Sequence, residues 1–377
     1  MKKNLTTWEA ACIITGYGVG AGVLSMPYLA EKTGFLVAAI ILAIAFLASY
    51  ALHMMIADLS LKSGDGGQII SCLSRFLFRG KLKRVLEIVF FVLMGLILIT
   101  NLAAYITGAV EVIVSLIPIP NVVAELLFYA VAAAVVLFGL KAVGVSEKVS
   151  VAIIFCLIGV LAVASILAEH NTVRLAGGNI NQMLAYYGLA MFAMAAFFSV
   201  PQAVEGLNGD AKQIKKAVFL GLFNNFVLIL VIGFCALWAS KEVTEVSMVG
   251  WSAGIGLWAQ IVGSVFTVLA MLTTYWSLSL ALGGIIDDML HLGHKLCWLI
   301  ATLPSFILAI CGLTGFMDLM RTAGGLIAIV VAVMVVPAYH NARKEIPGSL
   351  VSNGGLPMEI IIIIAYILMA VGSVVTY

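Results

Sequence analysis

Eleven apolar stretches leave this chain one way to fold. They run over roughly 8–30, 35–59, 85–116, 122–140, 147–168, 183–206, 217–239, 257–286, 296–312, 318–337 and 357–376. Crossing ~30 Å of hydrocarbon takes ~20 residues of helix. A bilayer offers no water to backbone N–H and C=O groups, so each stretch has to satisfy its own as a helix. The expectation is an all-α polytopic membrane protein with eleven transmembrane helices, spans 1 to 11. Only 10% of the residues are charged and 63% are hydrophobic, where a soluble domain carries ~25% charged. The basic residues are distributed by loop rather than by face, so the net charge of +2 implies no nucleic-acid partner. After Met1-Lys2-Lys3 the apolar run continues too far for a signal-peptide core. The six cysteines are scattered, with no metal or disulfide spacing among them.

Loop charge sets the orientation. With the N-terminus inside, sixteen of the twenty Lys and Arg residues fall in inner stretches, among them Lys2, Lys3, Arg75, Lys83, Lys212 and Lys295. Lys32, Arg174, Lys241 and Arg321 are the four outer ones. That bias places the C-terminus outside the cytoplasmic membrane.

The first ten spans divide into halves of similar length, 8–168 and 183–340. Five spans in each make the second half enter from the opposite side, an inverted 5+5 repeat. The inner loop 61–84 then corresponds to the outer loop 240–256, where Trp251, Ile255 and Trp258 suggest a short interfacial helix. Span 11, 357–376, lies outside the repeat and is expected at the periphery of one transporter domain covering 1–377.

Span 1 contains four glycines in seven residues, Gly16, Gly18, Gly20 and Gly22. Each costs about 1 kcal/mol against alanine in a helix interior, so the span should break there. Its repeat partner is span 6, where Pro201 blocks the carbonyl of Phe197 and predicts an unwound turn just before it. A broken helix exposes N–H groups on one half, which suit an anion, and bare carbonyls on the other, which suit a cation. A zwitterion fits that pair. The amides of Gly20, Ala21 and Gly22 would hold a carboxylate, and the carbonyls near Gly16 and Val19 would face a cation. The same glycines also read as close helix packing through small residues, since Gly16/Gly20 and Gly18/Gly22 have the G-x-x-x-G spacing.

Span 8 carries Ala270-Met271-Leu272-Thr273-Thr274. The two hydroxyls either bond their own preceding carbonyls or complete an all-oxygen shell for Na⁺. Asn101 and Tyr105 share a face of span 3, and His53 stands inside span 2, as a proton relay or an inter-helix hydrogen bond. Lys148, at the inner end of span 5, gives no obvious fixed charge to replace a bound cation, and Asp287-Asp288 reads as a solvated helix end. No nucleophile elbow, P-loop or paired catalytic carboxylates occur, so an enzyme is not expected.

Gly18-Val19-Gly20-Ala21-Gly22-Val23-Leu24-Ser25-Met26-Pro27-Tyr28, with Lys32-Thr33-Gly34-Phe35, resembles the span 1 signature of the amino acid/auxin permease family. That family belongs to the amino acid–polyamine–organocation superfamily with the leucine-transporter fold. Ser63-Gly64-Asp65-Gly66-Gly67, Pro201 with Glu205, and Ala323-Gly324-Gly325 running to Pro337-Ala338-Tyr339 agree with it. Ala195 and Ala196 depart from it, standing where many members carry polar residues. The resemblance implies an amino acid symporter with its substrate at the breaks, contacted by Phe192, Ala193 and Ala195 and flanked by Asn101 and Tyr105. It also implies one Na⁺ held by Gly16, Val19, Ala270, Thr273 and Thr274, with H⁺ as the alternative coupling ion and no other cofactor. Small residues in span 6 leave room for an apolar or aromatic side chain. A non-transporting amino acid receptor on the same fold is the rival reading. Oligomeric state is not legible.

Overall fold

The computed structural model describes residues 4–64, 67–244, 247–312, 330, 333–351 and 354–375. Every element among them is a helix. In order they are α1 (Thr7–Gly18), α2 (Ala21–Thr33), α3 (Phe35–Ser63), α4 (Ile69–Phe76), α5 (Lys83–Leu116), α6 (Asn121–Leu137) and α7 (Leu140–Leu167). Then follow α8 (Ile180–Ala193), α9 (Ser199–Gly206), α10 (Ala211–Ala239), α11 (Ser247–Ile255), α12 (Leu257–Leu290) and α13 (His294–Ile310). Helical residues 333–345 form the described part of α14, and α15 is Leu356–Val374. Most of expected span 10, with Asp318, Arg321 and Ala323-Gly324-Gly325, lies outside the described residues.

Element lengths repeat across the two halves. Each half opens with a broken pair, α1/α2 and α8/α9. A 29-residue helix follows in both, α3 and α10. Next come short helices of 8 and 9 residues, α4 and α11, then 34-residue helices, α5 and α12. Two 17-residue helices, α6 and α13, complete the match. The starts of the broken pairs agree as well. Thr6 and Glu9 form a capping box on α1, and Asn179 and Gln182 form one on α8, so backbone donors that a helix start leaves over are satisfied in the same way.

Among the described residues, six helices are long and apolar enough to cross a membrane singly, and the α1–α2 pair, bent by 59°, makes a seventh. Leu36, Ile40, Ile44 and Leu47 form an exposed stripe on α3 at helical spacing. Such a stripe has hydrocarbon as its natural solvent. In contrast, α12 is largely buried and packs against α1, α5, α7 and α13. It is the post against which the broken helix stands.

Span 11 is peripheral, as expected: α15 packs on α8 and α3 and leaves Ile360, Ile364, Ile367 and Val371 exposed. Its contact with α8 is close, since a Cβ on Gly188 would stand 2.8 Å from the Gly372 backbone and the Tyr187 hydroxyl donates to Ala365 O at 3.1 Å. The short outer helix exists as α11, but its Trp251 is fully buried and donates to Ser165 Oγ at 2.7 Å, while Trp258 belongs to α12. Asp287 and Asp288 are exposed near the end of α12, as read, and Asp288 also accepts from Ser71 Oγ at 2.6 Å and from the Gln68 N–H at 3.2 Å, tying α12 to α4.

Candidate functional site

The break in span 1 is two residues long. Helix α1 ends at Gly18, and the Val19 N–H closes its last turn on Thr15 O at 2.9 Å. Gly20 is the N-cap of α2 and brings no side chain to it. The first amides of a helix have no intrahelical acceptor, so those of Ala21 and Gly22 are left facing outward from α2. The Ala21 side chain lies outside the described residues.

Each of the four glycines meets a different neighbour. A Cβ on Gly16 would overlap the Glu147 carboxyl of α7, and one on Gly18 would overlap the Asn225 amide of α10. On Gly20 it would stand 2.8 Å from the Tyr105 hydroxyl and 3.0 Å from Thr274 Oγ1. On Gly22 it would stand 3.1 Å from both Ala193 Cα and Phe192 Cδ1. Both readings of the cluster are thus present together, since the glycines admit close neighbours at the place where the helix parts.

On α12 the threonines reach across. The Thr273 hydroxyl lies 3.2 Å from Gly16 O and 2.9 Å from Ala270 O. The Thr274 hydroxyl lies 3.0 Å from Gly16 O, 3.0 Å from Ala270 O and 3.4 Å from Tyr17 O. Each thus bonds within its own helix and also bridges to the end of α1. The result is a buried group of hydroxyl and carbonyl oxygens. Val19 is buried at the same helix end but has no hydrogen bond to α12 among the described residues.

Span 6 opens just before Pro201, as its sequence predicts. Helix α8 stops at Ala193 and α9 starts at Ser199, which puts Pro201 in the first turn of α9, where its missing N–H costs little. Inside the break, the Ala195 N–H turns back to Phe192 O at 3.0 Å. The Ala196 N–H donates to His53 Nε2 at 2.9 Å, and Nδ1 of the same ring lies 2.6 Å from Ser49 O. His53 is therefore the inter-helix hydrogen bond weighed above, a cap for an otherwise orphaned donor. The Met194 carbonyl is taken by Ser49 Oγ at 2.9 Å.

The predicted substrate residues converge only in part. Tyr105 leans over Gly20 beside Thr274, while Phe192 and Ala193 pack on Gly22. Asn101 lies one turn along α5 from Tyr105, buried, with Oδ1 unpartnered. Ala195 sits in the break of span 6, buried and further along it than the Gly22 contact.

Two further residues meet the break, of which Asn225 stands out in the sequence as a polar residue inside span 7 and Glu147 does not. Asn225 is buried with both amide atoms unpartnered, against Gly18. Glu147 is fully buried and stands against Gly16. Its position at the edge of an apolar stretch suggests a wet helix end. The only local signal against that is Gly139, at a φ of 81°, which starts α7 seven residues earlier and draws Glu147 two turns inward. Lys148, its neighbour, pairs with Glu9 at 3.4 Å and leaves the break without a fixed positive charge.

The model of the tryptophan/tyrosine permease family matches residues 3–373, nearly the whole chain. The chain belongs to the tryptophan/tyrosine permease family. It is a multi-pass membrane transporter of amino acids rather than an enzyme. The likeness to amino acid/auxin permeases agrees with this at the level of an amino acid permease on a transporter fold. No individually curated protein matches. Among solved structures, the permease is similar to MhsT in complex with L-phenylalanine, at 14% identity and a TM-score of 0.68, over 99% of this chain and 100% of that one. It is similar to the same degree to Mhp1, a nucleobase-cation-symport-1 family transporter, in a closed conformation with bromovinylhydantoin bound. There the identity is 10% and the TM-score 0.68, over 99% of this chain and 92% of that one. At such identities the fold is what the chains share.

Proposed function

We propose that this permease is a symporter that carries a neutral aromatic amino acid together with Na⁺ across the cytoplasmic membrane by alternating access between two inverted repeats, 8–168 and 183–340. One observation carries the reading. Around Gly20, the amide end of α2 and the buried oxygens of Gly16, Ala270, Thr273 and Thr274 lie on either side of a single two-residue break. The amides of Gly20, Ala21 and Gly22 hold the substrate carboxylate, where the N-terminal end of the helix dipole favours it. Carbonyls at Phe192, Ala193 and Ala195 receive the ammonium. Tyr105 and Asn101 wall the side chain, and the alanines of the second break leave room for a ring.

The coupling ion sits beside the carboxylate, on Gly16, Val19, Ala270, Thr273 and Thr274. An all-oxygen shell suits a hard cation. Both ligands then stabilise the same closed arrangement of α1, α2 and α12, which is how one drives the other. The family and the phenylalanine-bound neighbour support an aromatic substrate. The test is uptake of radiolabelled L-tryptophan, L-tyrosine and L-alanine into proteoliposomes under an imposed Na⁺ or H⁺ gradient. Accumulation of the two aromatic substrates on a Na⁺ gradient is expected. Accumulation on an H⁺ gradient with no response to Na⁺ would overturn the choice of ion. Saturable binding with no uptake would favour the receptor.

A further inference from the structure

Fully buried side-chain carboxyls are rare in a membrane protein unless something offsets their charge. Glu147 is one, at 0% exposure on α7. Its Oε1 accepts from Ser277 Oγ at 2.7 Å, and the same hydroxyl also lies 3.3 Å from Ile13 O on α1. Its Oε2 has no hydrogen-bond partner. That free oxygen is directed at the Gly16 backbone, where a Cβ would overlap it and would lie 2.6 Å from Cδ and 2.9 Å from Oε1. Gly16 is the residue whose carbonyl meets both Thr273 and Thr274. Ser277 stands one turn of α12, about 5.4 Å, beyond Thr273. The carboxyl and the hydroxyl–carbonyl cluster therefore line one side of the α1–α12 seam.

Among the described residues, none is seen to offset an ionised carboxyl here. The basic residues of its own helix, Lys141 and Lys148, are both engaged with Glu9, at 2.5 and 3.4 Å. From α1 the titratable groups facing this region are Glu9 and Cys12. From α12 it is met by Ser277, and the α10 side chain nearest along α1 is Asn225, against Gly18, both neutral. An isolated charge in such surroundings is strongly disfavoured, and a cation placed against it is correspondingly favoured. The opposite choice, an apolar residue here, would leave the oxygen cluster with no net charge to hold an ion.

We infer that the Glu147 carboxyl is the charge-bearing seat of the coupling cation, with Ser277 fixing its orientation and Oε2 against Gly16, whose carbonyl meets Thr273 and Thr274. The inference rests on the symport reading above and adds to it the residue that makes the ion site anionic. It also gives Gly16 a second task, since any side chain there would displace the carboxyl from the seam.

The experiment uses the full-length permease in proteoliposomes, with radiolabelled L-tryptophan as probe and separate Na⁺ and H⁺ gradients, on wild type, E147Q, E147D and S277A. Whichever gradient drives wild type, E147Q is expected to lose at least tenfold in accumulation. E147D should retain ion-driven accumulation with a raised half-saturating ion concentration, and S277A should show a smaller rise of the same kind. The gradient that drives wild type identifies the ion in the seat. Accumulation by E147Q equal to wild type would overturn the inference and leave the symport reading intact. If wild type accumulates tryptophan on neither gradient, it is the symport reading that fails. Should E147Q not fold, E147D and S277A decide, and an ion dependence unchanged in both overturns the inference.

Discussion

Four glycines at the break do more than loosen a helix. Gly16, Gly18, Gly20 and Gly22 each give way to a side chain from a different helix, namely Glu147, Asn225, Tyr105 with Thr274, and Phe192. Replacing Gly22 with valine should push branched carbons into Ala193 and Phe192, and tryptophan affinity should fall at least tenfold by equilibrium binding. Unchanged affinity would place the carboxylate elsewhere. Gly16→Ala is a narrower probe, because one methyl is enough to displace the Glu147 carboxyl. Ion-driven uptake should be lost while the purified protein remains monodisperse. The glycines were legible because their clustering in an apolar span contradicts helix propensity. Glu147 was not, because a charge at the edge of an apolar stretch reads as solvated until the start of its helix is known.

At the scale of elements, the two broken spans are held open by different means. Span 1 parts because glycine replaces side chains that would otherwise pack, whereas span 6 parts before Pro201 and is braced from outside by His53. His53→Ala leaves the Ala196 N–H buried and unpaired, which costs about 1–3 kcal/mol. Thermal unfolding in detergent should show a matching drop, and an unchanged midpoint would mean the break closes on another acceptor. The break itself was legible from Pro201, and its partner was not, since a lone histidine in an apolar helix names no donor. Helix α15 braces the other side of α8. Gly372→Leu would drive a side chain into Leu184 and Gly188, and loss of uptake together with lowered stability is expected. Span 11 was legible as peripheral because it lies outside the repeat, but its seat on α8 was not, since repeat membership carries no information about which surface a helix covers.

The whole molecule is a duplicated plan, legible from span lengths and now visible as a run of matched helices from α1–α6 to α8–α13. Its orientation rests on the asymmetry of Lys and Arg across the loops. In a background with the six native cysteines replaced, K212C and K241C flank the two ends of α10. Membrane-impermeant maleimide should label the second and spare the first in intact cells, and the reverse pattern would invert the orientation. The central claim is that an amino acid and a cation share the break at Gly16–Gly22 and stabilise one state. Because such coupling is reciprocal and typically about 1–3 kcal/mol, it can be read from affinity alone. L-tryptophan binding to the purified permease, measured with and without Na⁺ in wild type and in the Thr273→Ala/Thr274→Ala variant, is the direct test. Affinity about tenfold tighter with Na⁺ in wild type, and indifferent to Na⁺ in the variant, is the predicted result. Equal affinity with and without Na⁺ in wild type would contradict it.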